Sequence, residues 1–115
     1  MEPKRILIIG GVAAGPKVAC KIKRLDPEAD VTVLEKGRFL SYAGCGLPYY
    51  VAGAVKEQKD LMSTPVGVVR DAAFFLKVKG VKVLEATEAV EIDRVGRRVR
   101  ARGDNHAGDV WLGYD

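Results

Sequence analysis

Apolar residues in the first third of the chain come in short continuous runs rather than in alternation. Lys4–Ile9 reads KRILII and stops at Gly10, and Val31–Leu34 reads VTVL and stops at Glu35. Runs of that kind mark strands buried on both faces, as in a parallel sheet. Between them, Pro16–Leu25 carries Val18, Ile22 and Leu25 at helical spacing, which predicts a helix with those residues turned inward. Asp26-Pro27 closes it. Further on, GLPYYVAG after Cys45 predicts a short helix with Pro48 in its first turn, where proline's missing N–H costs little. Val55–Met62 reads as a surface connection, and Ser63-Thr64-Pro65 as the start of a helix over Val66–Lys79 that ends at Gly80. Val69, Ala73, Phe74 and Leu76 are expected on its core side. The rest is strand-like: Val81–Leu84, then Val90–Asp93 in alternation, Arg97–Arg102 pairing back across the Val95-Gly96 turn, and Val110–Leu112.

The punctuation between the first two strands carries the first chemistry. Gly10-Gly11-Val12-Ala13-Ala14-Gly15 joins strand to helix, and Glu35 stands at the end of the second strand. Strand, glycine turn, helix, strand and acid make the opening βαβ unit of a dinucleotide-binding fold. The first glycine makes the tight turn and the third lets helix and strand approach. A pyrophosphate rests on the helix N-terminus, and the acid accepts hydrogen bonds from ribose hydroxyls. Val12 departs from the pattern by replacing its middle glycine. An acid without an arginine immediately after it argues against a 2′-phosphate, so NAD or FAD is favoured over NADP.

Composition narrows the setting. The chain has 115 residues, 48% of them hydrophobic and 30% charged, which suits a single soluble domain. No run approaches the roughly 20 apolar residues of a membrane span, and the basic start lacks a secretory pattern. Cys20 and Cys45 form neither a metal pattern nor a disulfide framework, so a reducing cytoplasm is the expected compartment. The net charge of +4 suits a phosphorylated ligand, whereas the interspersed acids do not make a nucleic-acid stripe. Lys17, Lys21 and Arg24 share one helix face, either as an ordinary solvated face or as an attraction for phosphates. Cys20 reads as a packing residue, the Phe74-Phe75 pair as core, His106 as a solvated loop residue, and Arg94, Arg97, Arg98, Arg100 and Arg102 as a solvated hairpin face.

The stretch Ser41–Tyr50, SYAGCGLPYY, sets Cys45 between two glycines ahead of the short helix. A cysteine at a helix start has its thiolate favoured by free N–H groups and the helix dipole, which raises its reactivity. Together, IIGGVAAG and VTVLEKGRFLSYAGCGLPYYVAG resemble the N-terminus of the single-cysteine branch of the FAD-dependent pyridine nucleotide-disulfide oxidoreductases. That branch holds coenzyme A-disulfide reductases, coenzyme A-persulfide or polysulfide reductases, and NADH oxidases and peroxidases. Two-cysteine relatives carry a second cysteine where Tyr50 stands, so the resemblance implies one cysteine cycling through a mixed disulfide, a persulfide or a sulfenic acid.

The resemblance also distributes roles. It implies an α/β, Rossmann-like FAD-binding domain with an antiparallel β-meander, truncated before the last parallel strand. Residues 1–115 would be a partial FAD-binding domain, with the NADH-binding and dimerisation domains absent. Without the missing strand, Lys4–Ile9 would keep an unpaired apolar edge, and the isolated chain would be inactive. Gly10, Gly11, Val12, Ala13, Ala14 and Gly15 would cradle the FAD pyrophosphate, Glu35 and Lys36 would meet the ribose, and Ala89 would lie along the adenine. Ser41 would lie near the flavin or the substrate, with Cys45 as the redox-active thiolate. Lys17, Lys21, Arg24, Ser41 and Gly44 would meet a coenzyme A disulfide, persulfide or polysulfide. Gly44 departs from the asparagine usual in coenzyme A-disulfide reductases. NADH or NADPH would supply electrons, and the full-length protein would be a homodimer with no metal. An NADH oxidase or peroxidase working through a Cys45 sulfenic acid, or a non-catalytic nucleotide-binding module, are the alternatives.

Overall fold

The structure, a computed structural model, describes residues 2–104 and 108–115. Strands β1 (Arg5–Ile9), β2 (Asp30–Leu34) and β3 (Lys82–Leu84) form a parallel sheet with β2 in the middle. The register sets Ile6 opposite Val31 and Ile8 opposite Val33, which in turn faces Val83. Helix α1 (Ala14–Leu25) makes the crossover that a parallel pair requires. Strands β4 (Thr87–Asp93), β5 (Arg98–Gly103) and β6 (Val110–Gly113) form a second, antiparallel sheet, with a register shift between Ala89 and Glu91. The α/β class, the βαβ start and the meander are therefore as the sequence implies. His106 lies outside the described residues.

Side chains alternate across a strand, so a sheet covered on both sides needs apolar residues at every position. Ile6, Ile8, Val31 and Val33 face α1 and pack with Ala19, Leu40, Phe75 and Val81. Leu7, Leu34 and Leu84 face the meander and pack with Val99, Ala101, Val110 and Leu112. Val31, Val33, Leu34 and Val81 are almost fully buried. Each contributes about 1.5–3 kcal/mol of transfer free energy. The continuous runs that mark β1 and β2 in the sequence thus serve two cores at once.

Two stretches depart from the predicted pattern. In α1, Val18 and Leu25 are 47% and 73% exposed, and Pro16 and Ala19 are the buried residues, with Ile22 half-buried. At its start the helix lies so close to β1 that no side chain fits at Gly15. A Cβ on Gly15 would lie 2.9 Å from the carbonyl carbon of Gly10 and 3.3 Å from Ile8 Cγ2. Cys20 packs against this core, as expected.

The second departure is the long helix expected over Val66–Lys79. Thr64 Oγ1 accepts the Val68 N–H at 3.1 Å, Gly67 takes a φ of +87°, and Ser63 bridges to Val69. The chain is thereby folded back on itself before any helix can start. Helix α3 begins only at Ala72–Phe74, where the Asp71 carboxylate accepts the Phe74 N–H at 2.8 Å, and it continues as a wide π-turn over Phe75–Lys79. Phe75 is buried with Phe74 edge-on to it at 5.5 Å, whereas Ala73 and Leu76 point outward. Nor is the preceding segment merely a surface connection. Gln58–Met62 forms a 3-10 turn that buries Leu61 and Met62.

The two sheets are joined at their ends. Asp115 donates its N–H to the Arg5 carbonyl at 2.9 Å, and its carboxylate accepts the Arg5 N–H at 2.9 Å and the guanidinium at 3.0 Å. These bonds from Arg5 hold the Asp115 carboxyl down at about 2. On the hairpin face, Arg98 pairs with Asp93, Arg100 with Glu91 and Asp109, and Arg102 with Asp109, and Arg98 stacks 4.2 Å over Trp111. Arg94 and Arg97 are exposed beside these pairs, so the arginine cluster is a solvated surface, ion-paired at Arg98, Arg100 and Arg102.

Candidate functional site

The glycine turn is built as its sequence requires. Gly10 has a φ of +108° and donates its N–H to the Leu34 carbonyl at 2.8 Å, which ends β1 against the end of β2. A non-glycine residue would be strained there. At Gly11 a Cβ would meet Glu35 Cβ and Leu40 Cδ2 at 3.0 Å, so the main chain runs close over the acid. The Glu35 carboxylate takes up that proximity. Oε1 accepts the Gly11 N–H at 3.0 Å, and Oε2 accepts the Gly37 N–H at 2.6 Å. Glu35 is thus already a strut between the glycine turn and the loop after β2.

A carboxylate has about four lone-pair sites, so two remain for hydroxyl donors. Beside it lies a hollow of ≈ 300 Å³ lined by Gly10, Glu35, Lys36, Thr87, Glu88 and Ala89. The walls fit a nucleoside. The turn offers main chain without side chains, the acid offers acceptors, and Ala89 on β4 offers a flat apolar wall. Glu35, Lys36 and Ala89 are thus brought together with Gly10 around one hollow. Ala13 and Ala14 are exposed, and Val12 is half-buried.

From Glu35 the chain passes through the loop to Ser41, which takes a left-handed φ of +51°. Its N–H donates to the Gly11 carbonyl at 2.8 Å, and the Arg70 guanidinium donates to its hydroxyl at 3.4 Å. The strip that carries the cysteine therefore starts on the glycine turn. Cys45 is exposed at the centre of a 3-10 turn, Gly44–Gly46, which leads into helix α2 (Leu47–Val51) with Pro48 near its start. The structure thus places a 3-10 turn ahead of the predicted helix. A hollow of ≈ 280 Å³ opens beside it, walled by Phe39, Tyr42, Leu47, Tyr50, Leu61 and Met62. Gly44 is exposed, with open space where a side chain would stand.

On the other side of Ser41 lies a wider basin of ≈ 390 Å³. Lys17, Cys20 and Arg24 of α1, Thr64, Arg70, Phe74 and Lys79 share its walls with Ser41. Four of these carry positive charge and none is a carboxylate, so the basin suits an anion. Lys17 and Arg24, which share one face of α1, both line the basin. Lys21 lines an adjoining depression with them, on the outer face of α1. Cys45 lines neither the basin nor the aromatic-walled hollow, and Gly44 is likewise absent from their walls.

Sequence reading missed Arg70, Lys79 and Thr64. Arg70 is a lone cation in the apolar VGVVRDAAFF run, and only the fold-back at Thr64–Val68 swings it toward Ser41. The TPVG turn chemistry is the signal that could have found it.

The pattern of the pyridine nucleotide-disulphide oxidoreductases matches residues 4–114. The chain belongs to that family. Over 104 residues, 90% of the chain, it is 40% identical to an NAD(P)H sulfur oxidoreductase (CoA-dependent) of Pyrococcus furiosus, of which it covers 22%. It is 38% identical over 68 residues to the coenzyme A disulfide reductase of Staphylococcus haemolyticus, covering 59% of this chain and 16% of that one. Among solved structures, the NAD-dependent persulfide reductase from A. fulgidus superposes with a TM-score of 0.93 and 44% identity, over 96% of this chain and 20% of that one. The chain thus spans about a fifth of the length of such relatives. No helix among the described residues is long and apolar enough to cross a membrane.

Proposed function

We propose that the chain is the FAD-binding, cysteine-bearing part of an NAD(P)H-dependent reductase of coenzyme A disulfide, persulfide or polysulfide. The observation that carries this reading is the bond from Ser41 N–H to the Gly11 carbonyl, 2.8 Å, which starts the Cys45 strip on the dinucleotide turn. Cofactor and thiol are thereby organised from one point. Gly10 to Gly15 leave room for a pyrophosphate, Glu35 and Lys36 take the ribose, and Ala89 backs the adenine. FAD held by these residues would supply the redox-active ring through which reducing equivalents could reach sulfur.

The chain's own part in the chemistry falls to Cys45. Its thiolate attacks one sulfur of a disulfide, forms a Cys45–substrate mixed disulfide and expels the other half as a thiolate. Two electrons from NAD(P)H and a proton then return Cys45 to the thiolate and release the second half as a thiol. Tyr50 leaves no neighbouring thiol in the strip to resolve the mixed disulfide. Lys17, Lys21 and Arg24 attract the phosphates of coenzyme A, and Ser41 holds the substrate between basin and strip. By this reading the full-length protein acts as a homodimer in the cytoplasm.

NADH oxidation by the full-length protein with coenzyme A disulfide, sulfur-loaded coenzyme A or oxygen tests the proposal. Sulfur substrates should support turnover, and Cys45→Ser should abolish it with FAD retained. Turnover with oxygen alone would defeat the coenzyme A reading. It would favour an oxidase working through a Cys45 sulfenic acid, a reading helped by Gly44, which offers a substrate no polar side chain. The purified 115-residue chain should show no NADH consumption; turnover by it would refute the claim that it is one part of the enzyme.

A further inference from the structure

Among the described residues, Arg70 is the one basin cation whose side chain bonds the main chain of the site. Its main-chain N–H donates to the Met62 carbonyl at 2.9 Å, and one terminal nitrogen donates to the Ser63 carbonyl at 2.7 Å. The other terminal nitrogen donates to Ser41 Oγ at 3.4 Å. The side chain is half-buried, and no carboxylate pairs with it among the described residues. Ser41 itself takes a left-handed conformation, and among the described residues its one main-chain bond is to Gly11.

The chemistry of the two groups fixes the direction of the contact. A guanidinium donates and never accepts, so Ser41 Oγ is the acceptor and its own proton must point elsewhere. The Ser41 hydroxyl is left as a donor, in a residue that lines the cationic basin. A lysine could keep the charge but not the fork, because one ammonium cannot repeat two fixed, divergent N–H directions. We propose that Arg70 is a positioning residue that pins Ser41 and leaves its hydroxyl proton free to donate to an anionic or carbonyl ligand in the basin. The role extends to the glycine turn, since the residue so pinned bonds Gly11. The ligand half of this inference rests on the coenzyme A reading above.

The test has two arms on the full chain. In the first, without ligand, hydrogen exchange at the Ser41 amide is compared in wild type, Arg70→Lys and Arg70→Met. Both variants should lose protection there by about tenfold while the β2 amides and the melting temperature stay unchanged, a loss confined to the pinned residue. Unchanged Ser41 protection in Arg70→Lys overturns the proposal, whatever the ligand. In the second arm, affinity for coenzyme A is measured by calorimetry in Arg70→Met, Ser41→Ala and the double variant. If Arg70 acts through Ser41, its substitution should cost about tenfold alone and almost nothing in the Ser41→Ala background. Additive losses would make Arg70 a direct charge contact and refute the positioning role. Loss of Ser41 protection in a chain that binds no coenzyme A would sink the substrate reading and leave Ser41 positioning standing.

Discussion

Replacing Gly15 by alanine sets two physical effects against each other. Gly15 is the second residue of α1, and in a helix alanine is favoured over glycine by about 1 kcal/mol. Propensity alone therefore predicts a more stable protein. Packing predicts the opposite, because the added Cβ would fall inside the van der Waals shell of the Gly10 carbonyl oxygen, with the carbonyl carbon 2.9 Å away. Neither atom can rotate aside. Gly10 is fixed by its bond to Leu34, and α1 is seated through Ala19, which is 0% exposed. Overpacking of a core typically costs about 1–3 kcal/mol, and a clash with backbone belongs at the upper end. The net is a loss of about 2 kcal/mol, against a total stability on the order of 6–17 kcal/mol for a chain of this size. That loss should lower the melting temperature by about 8 °C while leaving a folded protein. Thermal unfolding followed by circular dichroism reads it directly. Gly44→Ala is the control: nothing lies within 4 Å of its Cβ, and its melting point should hardly move. A melting temperature for Gly15→Ala equal to or above wild type would refute the close-approach argument.

Three further outcomes are expected. Glu35→Gln keeps one acceptor for two main-chain donors and turns its NH2 toward the other, at a cost of about 1–3 kcal/mol, since a part-buried N–H loses its partner. Hydrogen exchange should speed up at Gly11 or Gly37, and protection kept at both would contradict the strut. Asp115 is held at about 2, below its ordinary value of 3.8, by bonds from Arg5, so its stabilising share is intact above pH 4 and disappears as pH falls from about 4 to 2. Asp115→Asn should flatten that stretch of the stability–pH curve; a curve parallel to wild type would show the clamp to be idle. Cys45 is exposed and Cys20 half-buried, so Ellman's reagent should label in two phases, with Cys45→Ser removing the fast one and shifting the melting temperature by less than about 2 °C. A fast phase that survives Cys45→Ser and vanishes in Cys20→Ser would reverse the assignment.

How much could be read from sequence depended on how local the cause was. The turn at Gly10, the acid at Glu35 and the doubly covered strands are short-range facts of spacing and composition, and each was legible. The inner face of α1 was not. Helical periodicity put Val18 and Leu25 inside, yet with helix and sheet as close as Gly15 against Gly10, Pro16 and Ala19 are the buried residues, Cys20 and Ile22 pack half-buried beside them, and Val18 and Leu25 stay outside. A pattern of apolar residues says which faces exist, but the size of side chain that fits is decided by how closely the backbones meet.

The same limit governs the site. The glycine turn and its acid were in reach of sequence, because glycine and acid announce themselves at fixed offsets, whereas the Ser41 bond to Gly11 was not. Arg70 was out of reach, since its place depends on Thr64, Gly67 and Asp71 cutting short a helix that the apolar residues of 66–79 would otherwise continue. Those three polar and glycine positions are what move a cation beside Ser41. The basin is therefore a product of turn chemistry overriding periodicity: with an uninterrupted helix over 66–79 there would be no fold-back to carry the Arg70 fork to the Ser63 carbonyl and the Ser41 hydroxyl together.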